Sequence, residues 1–311
     1  ITPGNRYPQN LHRAHDAVTK RIEQAKKEER QEKYMKRKDQ LAKFAWESEG
    51  LIIRSVEDDD ELYDIARLVE AELHLETRFD GLDAEELLGS ECFPCINECI
   101  LRKYMSEISE NIIKADDIAA AVEKRRTLKW YKRVRHYYDG LLQVAQMQQF
   151  YQANISGFHI AQYADLWKEY TGNYCKMDHF YRQFHAAFGK SLKESSTVLE
   201  DLYKKVAEYA EKLYKNWYLA TLSSQWTMLV ADELSKSSAL AGIPQQADFY
   251  KNYVKPIAAS GSRAYVIISD ALRYEVAVEL TGQLIRETKG SAKISAMQAT
   301  FPSTTKFGMA A

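Results

Sequence analysis

The run Ala264-Tyr265-Val266-Ile267-Ile268, followed at once by Ser269-Asp270, is the stretch on which the fold turns. Its apolar, partly β-branched residues show no polar alternation, which fits a strand buried on both faces, as in parallel sheets. The loop Ser260-Gly261-Ser262 opens it. Residues 271–287 then carry a helical pattern through Val276, Leu280 and Leu284, and residues 292–297 alternate loosely like a second strand. Strand, helix and strand together predict the start of an α/β domain over residues 259–311.

In an open α/β sheet, ligands gather beyond the carboxyl ends of the strands, which is where Asp270 stands. Position alone leaves two readings open: a carboxylate that holds a metal or phosphate-bound ion, or a cap for the helix that follows. The second candidate is Phe301-Pro302-Ser303-Thr304-Thr305-Lys306-Phe307-Gly308-Met309, which follows the second strand and opens another helix. Hydroxyls at a helix start serve as caps, and they are also placed to attack a phosphoryl group held at the helix amino end. Arg273 and Lys306 are candidate phosphate contacts, with solvent-facing helix positions as the alternative.

Upstream, helical periodicity runs from about residue 62 to 240. It is clearest where Leu199, Leu202, Tyr203, Val206, Tyr209, Ala210, Leu213, Tyr214 and Trp217 recur at steps of three and four. Trp130, Val134, Tyr137, Leu141 and Ala145 form a second stripe, with Lys132, Arg133 and Arg135 on the other side. Such regular spacing assigns the tyrosines and tryptophans to a core rather than to a base-stacking surface. Ile243-Pro244 ends this helical region, and an amphipathic stretch around Phe249, Tyr250 and Val254 leads to Pro256. The acidic cluster Glu57-Asp58-Asp59-Asp60-Glu61 lacks the spaced ligands and the glycine of a calcium loop, and reads as a helix start. Before it, Asn10 caps a charged helical segment reaching about Glu47, whose interleaved signs over residues 20–43 suit a solvated helix; nucleic-acid binding is the secondary reading. Gly50 breaks that helix, and Leu51-Ile52-Ile53 follows as a brief strand-like run.

The 311 residues carry a formal charge of -1 and are 45% hydrophobic, enough for two or three domains and without a global pull toward nucleic acid or membrane. No run of about 18 apolar residues is present, and the first residues lack the apolar core of a secretory signal, so a cytoplasmic location is expected. Cys92, Cys95 and Cys99 have no second CxxC partner pair, and Phe93-Pro94 with Ile96 and Ile100 around them suit buried free thiols rather than a zinc or redox site. Ile1 in place of Met, and an apolar run still in progress at Ala311, lead to the expectation of a piece cut from a longer protein.

The paired segments Val266-Ile267-Ile268-Ser269-Asp270-Ala271-Leu272-Arg273-Tyr274-Glu275 and Phe301-Pro302-Ser303-Thr304-Thr305-Lys306-Phe307-Gly308-Met309-Ala310-Ala311 resemble the signature of PglZ domains. Weaker agreement runs through Phe93-Pro94, Ile96-Asn97-Glu98, Asp178-His179-Phe180-Tyr181-Arg182, Asn216-Trp217-Tyr218-Leu219 and Gln246-Ala247-Asp248-Phe249-Tyr250, covering about residues 56–311. The nearest subgroup is similar to the type-A PglZ proteins of BREX phage-defence systems, in the alkaline phosphatase superfamily. The resemblance implies a metal-dependent phosphatase or phosphodiesterase, a divalent cofactor (zinc), other BREX proteins as partners, Asp270 as a metal ligand, and Thr305 as nucleophile and metal contact. It also places the remaining ligands downstream of Thr305, whereas all seven histidines, at 12, 15, 74, 136, 159, 179 and 185, precede Asp270. The 311-residue chain alone is therefore expected to be inactive, with an open apolar sheet edge.

Residues 1–55 resemble part of PcfJ-like proteins through Tyr7-Pro8-Gln9-Asn10-Leu11, His15-Asp16, Phe44-Ala45-Trp46 and Gly50-Leu51-Ile52-Ile53-Arg54. The expected architecture is then a charged segment over 1–55, a helical bundle over 56–258, and the truncated beginning of an α/β alkaline-phosphatase-like domain over 259–311. The alternative function is a non-catalytic helical assembly module that docks other defence proteins.

Overall fold

The computed structural model describes residues 59–308, apart from 111, 113 and 193–196. The charged helix, the strand-like run and the PcfJ-like segment expected before residue 56 lie outside the described residues. What is described is predominantly helical and divides into two compact units, residues 59–142 with 187–206, and residues 143–186 with 207–308. The expected boundary at 258/259 falls inside the second unit.

In the first unit, helix α1 (Asp59–Leu73) begins inside the acidic cluster, as its sequence predicts. It is followed by α2 (Leu75–Phe79), α3 (Ala84–Leu87), α4 (Cys95–Ser109) and α5 (Ala115–Arg125). Pro94 has no side-chain acceptor to cap α4, so Glu70 supplies one from α1: its carboxylate accepts the Cys95 N–H at 2.7 Å. Helix α4 fills the core with Ile96, Ile100, Leu101 and Ile108. Arg125, at the end of α5, is fully buried. Its guanidinium donates to the carbonyls of Leu87, Leu88 and Ser90, and to Asn97 Oδ1 at 3.0 Å. Cys92, Cys95 and Cys99 are buried, as expected, and so is Cys175; burial pushes Cys99 up to about 12.

Helix α6 (Tyr131–Ala153) carries most of the second predicted stripe: Tyr137, Leu141 and Ala145 are buried, as is Trp130 just before it, while Val134 is half-buried. Helices α7 (Tyr163–Glu169) and α8 (Cys175–Ser191) are joined by a π-helical stretch, Tyr170–Tyr174. Helices α9 (Thr197–Glu211) and α10 (Ala220–Lys236) are joined by another, Lys212–Leu219. Within the second unit Phe150, Phe158, Tyr174 and Tyr218 pack ring against ring, at centroid separations from 4.6 Å (Phe158 to Tyr174) to 6.4 Å (Phe150 to Phe158).

Beyond the short α11 (Lys255–Ala259), the helix expected over 271–287 forms as α12 (Tyr274–Glu287). The strands expected over 264–268 and 292–297 do not form among the described residues. A strand exists through ladder pairing, and the β contact found here is an isolated parallel bridge between Gln245 and Gln298. Val266, Ile267 and Ile268 are accordingly 51%, 92% and 68% exposed rather than buried on both faces. Leu280 and Leu284 of α12 are exposed with them.

Candidate active site

Asp270 and Thr305, 35 residues apart in sequence, meet in the second unit. The Thr305 hydroxyl donates to Asp270 Oδ2 at 3.4 Å. Both line a cleft of about 740 Å³ whose walls include the exposed Val266–Ile268 run on one side and Gln246, Phe249 and Tyr250 on the other.

Each residue is held by its own local device. The other oxygen of Asp270, Oδ1, accepts the N–H of Ala271 at 3.0 Å. Ala271 has φ 57°, a left-handed conformation that costs a residue with a Cβ about 1–2 kcal/mol. The turn after the predicted strand is thus strained where the carboxylate is aimed. On the other side, Gln298 pins its segment to residues 238–246. Its side chain accepts from Leu240 N–H at 2.8 Å and donates to the Ser238 carbonyl at 2.9 Å, while its backbone exchanges bonds with Pro244 and Gln246. The Gln246 side chain donates to the carbonyl of Gly308 at 2.8 Å, fixing the far end of the single turn α13 (Thr305–Gly308). A helix of four residues has almost no macrodipole, so the amino-terminal anion site anticipated at Thr305 is reduced to the hydroxyl itself.

The two candidate phosphate contacts lie elsewhere. Lys306 is exposed. The Arg273 guanidinium donates to the Tyr214 hydroxyl at 2.9 Å and lies 3.5 Å from Asp178 Oδ1 and 3.6 Å from Glu275 Oε1; neither cation lines the cleft. Burial works to lower the Arg273 pKa, but the Tyr214 bond and the two carboxylates outweigh it and raise the pKa.

A carboxylate that accepts a proton from a neighbouring hydroxyl is an arrangement that activates the oxygen for attack, and separations beyond 3.2 Å are common before substrate arrives. A divalent metal demands more. One carboxylate and one hydroxyl are two hard-oxygen donors, and no group of three His, Cys, Asp or Glu side chains able to hold an ion occurs among the described residues. These residues do not by themselves make a metal site.

Sequence reasoning singled out Asp270 and Thr305, which the structure brings together, but gave no role to Gln246, Gln298 or the cluster around Asp178. The signal available for Gln246 and Asp178 was their place in the short segments where the sequence resembles PglZ domains.

A family model described as the BREX system PglZ alkaline phosphatase-like domain matches residues 249–311. The "Alkaline phosphatase-like protein PglZ" of Bacillus cereus (strain H3081.97) is 31% identical over 254 residues, covering 81% of this chain and 29% of that protein. The "Alkaline phosphatase-like protein BrxZ" of Escherichia coli O9:H4 (strain HS) is 31% identical over 260 residues, covering 81% of this chain and 30% of that protein. The chain thus spans less than a third of the length of these curated relatives. No solved structure matches. Residues 249–311 thus carry the PglZ family-model match, and the chain is similar over 81% of its length to these two alkaline phosphatase-like proteins.

Proposed function

We propose that this chain contributes the Asp270–Thr305 part of a phosphate-ester-hydrolysing centre in a BREX phage-defence protein. Thr305 is the nucleophilic hydroxyl and Asp270 is its proton acceptor or, in a completed centre, one ligand of a divalent metal such as zinc. The observation that carries the reading is the meeting of these two residues at 3.4 Å in a cleft, after each was singled out by its sequence context. A bound divalent ion would supply charge neutralisation at the phosphoryl group. Its remaining ligands would come from outside the described residues, so residues 59–308 alone are expected to be inactive. The exposed Val266–Ile268 run supports the companion proposal that this segment becomes a sheet strand once paired in a complete α/β domain.

The test is hydrolysis of p-nitrophenyl phosphate and its bis-ester by the full-length protein, before and after chelation, alongside phage plating. Asp270→Asn and Thr305→Val should each lower turnover by at least about 10³-fold. Their bond is long and exposed, worth at most about 0.5 kcal/mol, so thermal stability should stay within about 2 °C of the parent. Full turnover and unchanged metal content in Asp270→Asn would remove the assignment. The helical units also leave room for docking other defence proteins. That role predicts that Thr305→Ala preserves both defence and complex formation, which the same plating assay separates from catalysis.

A further inference from the structure

Three residues after Asp270 the chain turns away from the cleft and plugs into a buried polar cluster. Asp178, on α8, is 2% exposed. It receives the hydroxyls of Tyr214 at 2.6 Å, Tyr170 at 2.9 Å and Tyr218 at 3.4 Å. Tyr218 also donates to the Tyr174 carbonyl at 2.8 Å, and Tyr181 stacks on Tyr214 with ring centroids 3.8 Å apart. Glu275 is equally buried, its oxygens without a hydrogen bond but facing Arg182 Nε at 3.7 Å and Arg273 Nε at 3.6 Å. Arg182 and Gln183 of α8 both bond Glu279, so the first turns of α12 are clamped to α8.

Two features need a reason. Buried carboxylates are costly, and an apolar core of the same volume is often at least as stable. Tyr170, Tyr174, Tyr214 and Tyr218, moreover, all lie in the two π-helical stretches, a pitch that is rare and concentrates at functional sites. Both features converge on the Arg273 guanidinium, which sits against Asp178, Glu275 and Tyr214.

We infer that Arg273 is a positioning residue: seated against Asp178, Tyr214 and Glu275, it anchors the turn through strained Ala271 and so aims the Asp270 carboxylate at Thr305. The chemistry served is that of the Asp270–Thr305 centre and rests on that reading. A phosphate-contacting Arg273 would have to abandon three partners. Lysine is a poor replacement, because one ammonium cannot span acceptors that the guanidinium fork reaches together.

The test uses the full-length protein and p-nitrophenyl phosphate. Arg273→Gln and Tyr214→Phe should lower kcat by about 10- to 100-fold with KM within about twofold, because the turn is misaimed while the cleft is untouched. Arg273→Lys should recover only part of the loss. Adding Ala271→Gly to Arg273→Gln should restore kcat about fivefold, since glycine adopts the positive φ without strain. A tenfold rise in KM with kcat unchanged in Arg273→Gln, and no effect of Tyr214→Phe, would make Arg273 a substrate contact and overturn the inference. If Asp270→Asn keeps full turnover, the catalytic reading fails, and the anchor is then judged by hydrogen exchange. The Val276 and Ala277 amides, which bond the Arg273 carbonyl at 3.1 Å, should exchange about tenfold faster in Arg273→Gln and Tyr214→Phe while α4 is unchanged. Unchanged exchange in both variants overturns the inference. Tyr214→Phe removes one oxygen and keeps the stacked ring, so it reads the anchor even if Arg273→Gln does not fold.

Discussion

Replacing Asp178 by alanine measures what the buried tyrosine cluster contributes to the second unit. The Tyr170 and Tyr214 hydroxyls lose the acceptor they donate to, while Tyr218 keeps the Tyr174 carbonyl. The stranded, buried Tyr214 hydroxyl costs about 1–3 kcal/mol and that of half-buried Tyr170 somewhat less. Arg273 loses a countercharge at 3.5 Å, but its side chain is half exposed, so solvent limits that loss to about 1 kcal/mol. Against these stands the relief of no longer burying a carboxylate, worth on the order of 1–3 kcal/mol once solvation by the three hydroxyls is counted. The balance is a destabilisation of about 2–4 kcal/mol, or roughly 5–15 °C in the melting of a unit of this size. Differential scanning calorimetry is the suitable assay, because two compact units need not melt as one and the loss should fall on the transition of the second. Asp178→Asn, which keeps one acceptor oxygen but loses the charge, should lose about half as much. In a double-mutant cycle, Tyr170→Phe should couple to Asp178→Ala by about 1 kcal/mol. An Asp178→Ala protein as stable as the parent would show that desolvation outweighs the three hydrogen bonds, and the cluster would not be a stabilising element.

Two further predictions follow from the same kind of accounting. Arg125→Met should destabilise the first unit by about 2–4 kcal/mol in urea unfolding, because the carbonyls of Leu88 and Ser90 lose a buried donor while Leu87 O keeps the Ser90 N–H; no change in the midpoint would refute this. Glu279 has its pKa held below the ordinary 4.5, first by the hydrogen bond from Arg182. Its contribution is therefore present above pH 4.5 and is lost as the pH falls through the depressed folded value. Stability measured from pH 6 down to 3 should fall less steeply in Glu279→Gln, and identical slopes would refute the pairing.

The helical part was legible because its apolar residues repeat at three- and four-residue steps. Leu199, Tyr203, Val206, Ala210, Leu213 and Tyr214 are buried as that rule requires. Leu202, Tyr209 and Trp217 of the same stripe are half-buried, whereas Tyr218, outside it, is completely buried. Tyr214 to Tyr218 is itself a four-residue step, so the burial of Tyr218 obeys the rule even though Lys212–Leu219 has π pitch. What periodicity cannot read is the chemistry beneath that burial, which is why tyrosines read as core were not seen as donors to a buried carboxylate. Arg125 was invisible for another reason. In Glu123-Lys124-Arg125-Arg126 nothing in the charge pattern separates the buried guanidinium from its exposed neighbour Arg126.

Strand composition singled out Asp270 and the hydroxyl run Ser303-Thr304-Thr305, and the resemblance to PglZ domains picked Thr305 within that run, although no ladder forms among the described residues. The turn after residue 268 holds a left-handed Ala271 and an Asp270 carboxylate that lines the cleft and accepts from Thr305. Isolated, such a turn would relax, since nothing in an unpaired run opposes the return of Ala271 to negative φ. Its persistence has to be supplied by packing on the far side, where Arg273 meets Asp178, Tyr214 and Glu275. The short segments in which the sequence resembles PglZ domains then acquire a physical meaning. Asp178 and Arg182 of the third, Tyr218 of the fourth and Gln246 of the fifth all make side-chain hydrogen bonds around the two segments. Substitutions at these four positions should therefore disturb Asp270 or Thr305 without touching either.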